Sequence, residues 1–376
     1  MQQRRVSLLF LGDPKLDRRI QSFAKMFAEI GFAPTIYFSI PGNPAASPSP
    51  GYVPLGSTHN SGPRLFLGHH SALRTKLAEI SQADVIVACD LYSLRAASQA
   101  KARNDRAIMI YDARELYTGL PSVVSKPFVR YAWKKCEHDG MLNADFVSIT
   151  APHDADAIFR VHSFLPRPLL IRNIPLRSAQ PQPDHSFLRE HRISEGDKVA
   201  VYVGGLQADR GLEASIAAMK GLPPNFKLLL LGSGALEASL KQQAQELGDR
   251  VIFAGSIEQQ RVMPILAACD VGLSLIQANS PSYELALPSK IFEYLHAGVP
   301  VVSTELKHVV ELFDHQPYMH YVKQMDEQSI AAAITTAIGS KPSLSDVIAE
   351  AASQYSFEAD FDKLKLLLEE RLAERR

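Results

Sequence analysis

The chain has 376 residues, 40 Lys+Arg against 40 Asp+Glu, 46% hydrophobic and 21% charged residues. That length holds two or more domains. That balance excludes a chain basic overall, as many nucleic-acid binders are, and an acidic disordered one. The cysteines Cys89, Cys136 and Cys269 are odd in number and widely spaced, so neither a disulfide framework nor a CxxC metal clip is expected. A reduced, cytoplasmic compartment is the economical expectation.

Taken in chain order, Arg4-Arg5 precede a short apolar run, 6–11, that ends at Asp13 without a small-residue cleavage site. It reads as a first strand rather than a signal peptide. A second strand is expected at 35–38. Residues 41–63 carry Pro41, Pro44, Pro48, Pro50, Pro54 and Pro63, a composition expected to hold no regular element and to form a surface loop. His69-His70 follow it and read as surface residues. Further strands are expected at 84–88, 107–111, 146–149 and 169–171, with the helical segment FVRYAWKKCEHDG between the second and third of these. There Trp133 reads as a packing residue, and Arg130, Lys134 and Lys135 as a basic face, solvated or turned to an anionic partner. Asp154-Ala155-Asp156 superficially resembles a metal-binding DxD, but acids are common at a helix start, and no metal is expected. Pro175, Pro181 and Pro183 mark 174–187 as a linker.

A second series of strands follows at 199–203, 227–231, 251–253, 271–275 and 299–303. From Phe357 onward a charged amphipathic helix places Phe361, Leu364, Leu367, Leu368 and Leu372 on one face. No apolar run approaches the length of a membrane span. Strands alternating with helices predict parallel sheets covered on both faces. Two such series predict an α/β chain of two Rossmann-like, doubly wound lobes, 1–175 and 176–355. The C-terminal helix, 356–376, is a candidate to pack back on the first lobe.

Ligands of doubly wound sheets bind at the carboxyl ends of strands. Three loops there stand out. Gly204-Gly205-Leu206-Gln207-Ala208-Asp209-Arg210-Gly211 combines backbone that a ligand can approach with a fixed positive charge; glycine pairs also simply turn chains. Gly232-Ser233-Gly234 either cradles a phosphate or makes a tight strand-to-helix turn. Neither matches GxGxxG, so a dehydrogenase is not supported. The third, LPSKIFEYLHAGVPVV, starts a helix with Ser289 as expected N-cap and stops it at Gly298. Helix-start amides with Lys290 suit a diphosphate. Glu293, one turn in, can accept from two vicinal hydroxyls.

The segments YVGGLQADRGLE, LLLLGSG, VIFAGSI, AACDVGLSL and above all LPSKIFEYLHAGVPVV resemble the nucleotide-sugar lobe of glycosyltransferase family 4, enzymes of the GT-B fold. Asp17-Arg18-Arg19-Ile20, ADVIVACDLYSL, IYDARELY and LLIRNIP resemble the other lobe less sharply. The resemblance implies two Rossmann-like lobes facing a central cleft, with transfer of a sugar from a UDP- or GDP-sugar to a glycan or lipid-linked acceptor. It further implies retention of configuration, no metal and no other cofactor. It implies that Arg210 and Lys290 hold the diphosphate, with backbone near Gly204, Gly205, Gly232, Gly234 and Ser289, and that Glu293 takes the ribose hydroxyls. The chain departs from the family in three places. Leu285 stands where many members have a glutamate, with Glu284 one residue early, which leaves the donor-sugar contact undefined. Gly205 stands where many have an arginine. Arg114 stands where a histidine is usual, and its role there is read as a phosphate or sugar contact. Those departures keep one alternative open, a non-catalytic nucleotide-sugar-binding protein. The other alternative, a sugar-nucleotide epimerase of the same fold, needs acid/base carboxylates and histidines near the sugar, and Arg114 with Leu285 argues against it.

The neutral charge divides unevenly. Residues 1–175 hold 21 Lys+Arg and 14 Asp+Glu, and residues 176–376 hold 19 and 26. A positive first lobe suits an anionic acceptor or an anionic membrane surface. A peripheral position at the inner face of a membrane is therefore an expectation, and a nucleic-acid partner is not.

Overall fold

The computed structural model describes residues 3–42, 49–56, 59, 62–114, 117, 123, 125–152, 155–156, 158, 168–177, 181–279, 281–284 and 286–375. They form two compact units, one of Met1–Asn173 with Phe357–Arg376 and one of Ile174–Ser356.

The first unit is built on β1 (Arg4–Leu11), β2 (Phe32–Ser39), β3 (Tyr52–Pro54), β4 (Val85–Cys89), β5 (Ile108–Ala113), β6 (Phe146–Ile149) and β7 (Leu169–Leu170). All pair in parallel in the order β3-β2-β1-β4-β5-β6-β7. The central strands β4 and β5 are buried at every residue, as strands covered on both faces must be. The helix Arg18–Glu29 buries Ile20, Phe23, Met26 and Phe27 at helical spacing and is capped by Asp17, which accepts from the Ile20 amide. The final helix, Phe357–Glu374, belongs to this unit. Its Phe357 and Phe361 pack against Phe23, and Phe361 against Phe27. Asp360 accepts from the backbone and guanidinium of Arg172 at 2.6–2.8 Å.

The second unit holds β8 (Lys198–Val203), β9 (Phe226–Leu231), β10 (Val251–Gly255), β11 (Val271–Ser274), β12 (Val301–Thr304) and β13 (Met319–Val322). These lie parallel in the order β10-β9-β8-β11-β12-β13. In each sheet the chain order reverses beside the first strand, between β1 and β4 and between β8 and β11, which makes both doubly wound. Among the described residues no helix is long and apolar enough to cross a membrane.

Local pattern and structure part at four places. The proline-rich segment does hold a strand: β3 adds to the edge of the sheet, where Pro54 needs no ladder partner on its outer side. β13 is an edge strand too, and His320 interrupts its apolar run. The helix His185–Glu190 begins inside the expected linker, capped by Asp184. His69 and His70 are buried rather than on the surface. They lie in the helix Gly62–Thr75, and His69 lies 2.9 Å from Ser39 Oγ and 3.2 Å from Ser93 Oγ. Burial pushes its imidazole down to about 3, so it is neutral. Trp133 packs edge-on against Phe66 and Tyr92.

Candidate functional site

In the second unit the sequence-selected residues gather at the carboxyl ends of β8, β9 and β11. Gly204 and Gly205 follow β8. A Cβ on Gly204, which has φ 136, would lie 3.5 Å from Lys290 Nζ, so the lysine points at this stretch of backbone. The Lys290 ammonium sits 3.9 Å from the centroid of the Tyr202 ring. Tyr202 in turn donates to the Gly205 carbonyl at 2.9 Å. One aromatic residue therefore shapes the loop and seats the cation above it.

The glycines of the second loop serve a different purpose. A Cβ at Gly232 would overlap the Gly204 carbonyl, and one at Gly234 the Leu206 carbonyl. The loops are further tied by Leu206 N donating to Ser233 O and Leu236 N donating to Leu206 O, each at 3.0 Å. Gly232 and Gly234 thus allow two loops to press together, leaving Gly204 and Gly205 as the layer that carries Lys290.

Lys290 is the second residue of the helix Ser289–His296. Here the expected N-cap moves by one: Pro288 occupies the cap at extended φ/ψ, and Ser289 is the first helical residue without a side-chain cap bond. Proline's fixed φ suits this helix start, so no serine cap is needed. The helix stops at Gly298, φ 76, where Val299 N donates to Tyr294 O and Gly298 N to Leu295 O. Its register is locked by Tyr294, which lies fully buried against Gly272. The phenol donates to Leu273 O at 3.1 Å and accepts from Val203 N at 3.2 Å, joining the helix to β11 and β8. No sequence signal marked this residue beyond its place in the motif.

Electrostatics single out Lys290. Burial, with the nearby Arg210 charge, pushes its amine down to about 7, and Glu293 opposes the shift. Arg210 stands over the Tyr283 ring with Cζ 5.1 Å from its centroid. Among the described residues neither Arg210 nor Lys290 forms an ion pair with a carboxylate. Two cationic side chains without carboxylate partners, with the Lys290 amine beside the Gly204 backbone, make a place that favours an anion. Glu293 lies one turn beyond Lys290, partly buried; Glu284 is exposed in the short helix Pro281–Glu284. Leu285 lies outside the described residues, as does Asp154. Among the described residues no group of three or more His, Cys, Asp and Glu is placed to hold a metal ion.

Arg114 lies in the first unit, after β5. Its Nη1 and Nη2 donate to the two oxygens of Asp17 at 2.6 and 3.2 Å, and its Cζ is 4.9 Å from the Phe10 ring centroid. Burial disfavours its charge, but Asp17 and Asp112 more than offset this and hold the pKa above the ordinary value. Beside it Arg19 and Asp112 form a buried bidentate pair at 2.9 and 2.5 Å. Asp112 also accepts from Ser148 Oγ at 2.7 Å. Burial alone would raise the Asp112 carboxyl; Arg19 holds it below its ordinary value. The terminal nitrogens of Arg114 are therefore engaged by the chain, unlike the two cations of the second unit.

Residues 197–340 match the family model described as glycosyl transferases group 1. The amylovoran biosynthesis glycosyltransferase AmsK of Erwinia amylovora is 30% identical over 139 residues, 35% of this chain and 34% of that one. The chain thus spans about a third of the length of the curated relatives it matches. Whole-chain likeness comes from solved structures. Sucrose-phosphate synthase from Thermosynechococcus elongatus superposes with TM-score 0.71 at 19% identity, covering 98% of this chain and 99% of that one. Anabaena HepE in complex with UDP and glucose gives TM-score 0.71 at 18% identity, covering 98% and 100%. The likeness establishes a GT-B fold of two Rossmann-like units.

Proposed function

We propose that the chain is a glycosyltransferase that moves a sugar from a nucleotide diphosphate sugar, UDP- or GDP-linked, to a glycan or lipid-linked acceptor. The observation that carries this reading is the pair Arg210 and Lys290, two cations without carboxylate partners among the described residues, beside the Gly204-Gly205 backbone. The family-model match over this same unit and HepE's solved complexes with UDP and UDP-glucose support it.

In the proposed reaction the bond between the sugar's anomeric carbon and the β-phosphate oxygen breaks, and the electron pair stays on the diphosphate. Arg210, Lys290 and the backbone amides at Ser289 stabilise that growing charge in a site with fixed donors. The acceptor oxygen forms its bond on the same face, and its proton passes to the departing phosphate, so configuration is retained and no metal is invoked. Glu293 accepts from the ribose hydroxyls. Gly232 and Gly234 shape the diphosphate loop, and Glu284 borders the donor sugar. Arg114 acts on the first unit as a fixed charge held by Asp17. The test is release of UDP or GDP from UDP-glucose and GDP-mannose, with product anomers read by proton NMR. Turnover with retained anomeric configuration is expected; binding of neither nucleotide refutes the reading.

The first unit is the proposed acceptor side, operating at the cytoplasmic face of an anionic membrane. Its helix Pro127–Met141 leaves Phe128 89% and Tyr131 71% exposed, with Lys126, Arg130 and Lys134 also exposed. Aromatic tips among basic residues fit an anionic interface. Sedimentation with phosphatidylglycerol vesicles, lost on Phe128→Ser with Tyr131→Ser, is the expected result; equal sedimentation of both proteins removes the membrane role.

A further inference from the structure

In the first unit, Asp90 has three properties that a residue serving only the fold does not need. Its backbone lies at φ 79, ψ 174, a region essentially reserved for glycine because a Cβ clashes there. It stands at the carboxyl end of β4, directly beside β1, where the order of strands reverses. Open α/β sheets take their ligands at that place. Finally, the residue is only 6% exposed and its carboxyl is half-engaged. Oδ1 accepts from the Tyr92 amide at 2.9 Å, while Oδ2 has no hydrogen-bond partner among the described residues.

Its acidic neighbours differ. Asp112 is paired with Arg19 and Ser148, and Asp17 with Arg114. Burial pushes the Asp90 carboxyl up to about 7; the Arg114 charge and the Tyr92 amide work against that shift, and Asp112 and Asp17 add to it. Helix capping does not account for the choice of residue. Glycine caps nearly as well as aspartate and would occupy this backbone without strain. A strained backbone that presents a carboxylate oxygen left free by the described residues persists where a side chain is needed for something other than stability.

We propose that Asp90 is a ligand-binding residue of the first unit, its Oδ2 hydrogen-bonding a hydroxyl of the acceptor sugar. The identity of that hydroxyl rests on the glycosyltransferase reading; the presence of a strained binding residue does not. Asp90→Gly and Asp90→Asn separate the two. In thermal unfolding, Asp90→Gly is expected at or above the wild-type Tm, because relief of strain outweighs a weaker cap. A fall of more than about 4 °C in both variants makes Asp90 structural and overturns the proposal. With free hexoses and hexosamines as acceptor probes and UDP-glucose or GDP-mannose as donor, both variants are expected to lose about 100-fold in acceptor kcat/KM. UDP and GDP binding should stay at the wild-type level. Acceptor kcat/KM within about threefold of wild type in Asp90→Asn also overturns it. Failure of the wild type to bind either nucleotide sinks the glycosyltransferase reading alone, and the unfolding comparison then decides Asp90.

Discussion

Binding of the donor should draw a proton from solution, and Lys290 is the group that takes it. Its amine falls from an ordinary 10.5 to about 7 because burial and Arg210 disfavour its charge. At about pH 8 such an amine is roughly one-tenth protonated. A diphosphate placed against it restores the ammonium, so close to one proton is absorbed per donor bound. The same shift acts on folding with a defined sign. Below about 7 both folded and unfolded chains carry the charge, and the folded state bears its full desolvation cost. Between about 7 and 10.5 the unfolded chain binds more protons, so stability rises with pH through that window and levels off above it. The span corresponds to at most roughly 5 kcal/mol. Lys290→Met should therefore raise Tm at pH 7 or below, with the gain fading toward pH 10.5, while donor affinity falls about 10- to 100-fold. Calorimetry of UDP-glucose and GDP-mannose binding at pH 8, in buffers of different ionisation enthalpy, reads the proton directly. No proton uptake, or a Lys290→Met variant that is both less stable and equally competent to bind, refutes the reasoning.

Gly232→Ala places a Cβ into the Gly204 carbonyl at φ 143, so a loss of about 3 kcal/mol or more is expected by chemical denaturation. An Ala variant as stable as wild type would show that the two loops are not pressed together. Tyr294→Phe leaves Leu273 O and Val203 N without the phenol that joins them; a loss of about 1–3 kcal/mol and weaker nucleotide binding follow, checked by denaturation and calorimetry on one sample. Asp360→Asn breaks the pairing of Arg172 with the final helix and should cost about 3 kcal/mol. Faster proteolytic release of residues beyond 356 is the readout.

Most strands of both sheets were legible, the edge strands Tyr52–Pro54 and Met319–Val322 excepted, because each depends on local pattern. Runs such as IMIYDA and KLLLL are apolar but for Asp112 and Lys227, and the structure buries them throughout. The stop at Gly298 was equally local, a left-handed residue after a helix. What escaped depends on distant partners. Tyr52–Pro54 is a strand only because β2 offers it an edge. His69 can be buried because Ser39 and Ser93, far apart in sequence, each hydrogen-bond one of its ring nitrogens. The motif DRRI was visible, but not that Asp17 would take Arg114 and Arg19 would take Asp112. A composition with equal acids and bases cannot distinguish paired charges from unpaired ones. That distinction separates Arg114 from Lys290, and it is set by which side chains meet.

The same contrast explains where backbone strain and desolvated charge collect. Elements that build the units satisfy several rules together: the helix Arg18–Glu29 has apolar periodicity, a cap and an aromatic cluster with the final helix. Asp90 and Lys290 break local rules instead, one in backbone geometry and one in desolvated charge. Asp90 stands at the end of β4 and the Lys290 amine beside Gly204 at the end of β8, each strand next to a reversal of strand order. Local inconsistency at such positions is the mark of a functional demand.

A crystal structure of the chain soaked with UDP-glucose or GDP-mannose tests the central claim most directly. The diphosphate is predicted to lie within hydrogen-bonding distance of both Arg210 and Lys290, over Gly204-Gly205, with the ribose hydroxyls on Glu293. A nucleotide bound elsewhere in the second unit, or none bound at saturating concentration, would contradict it.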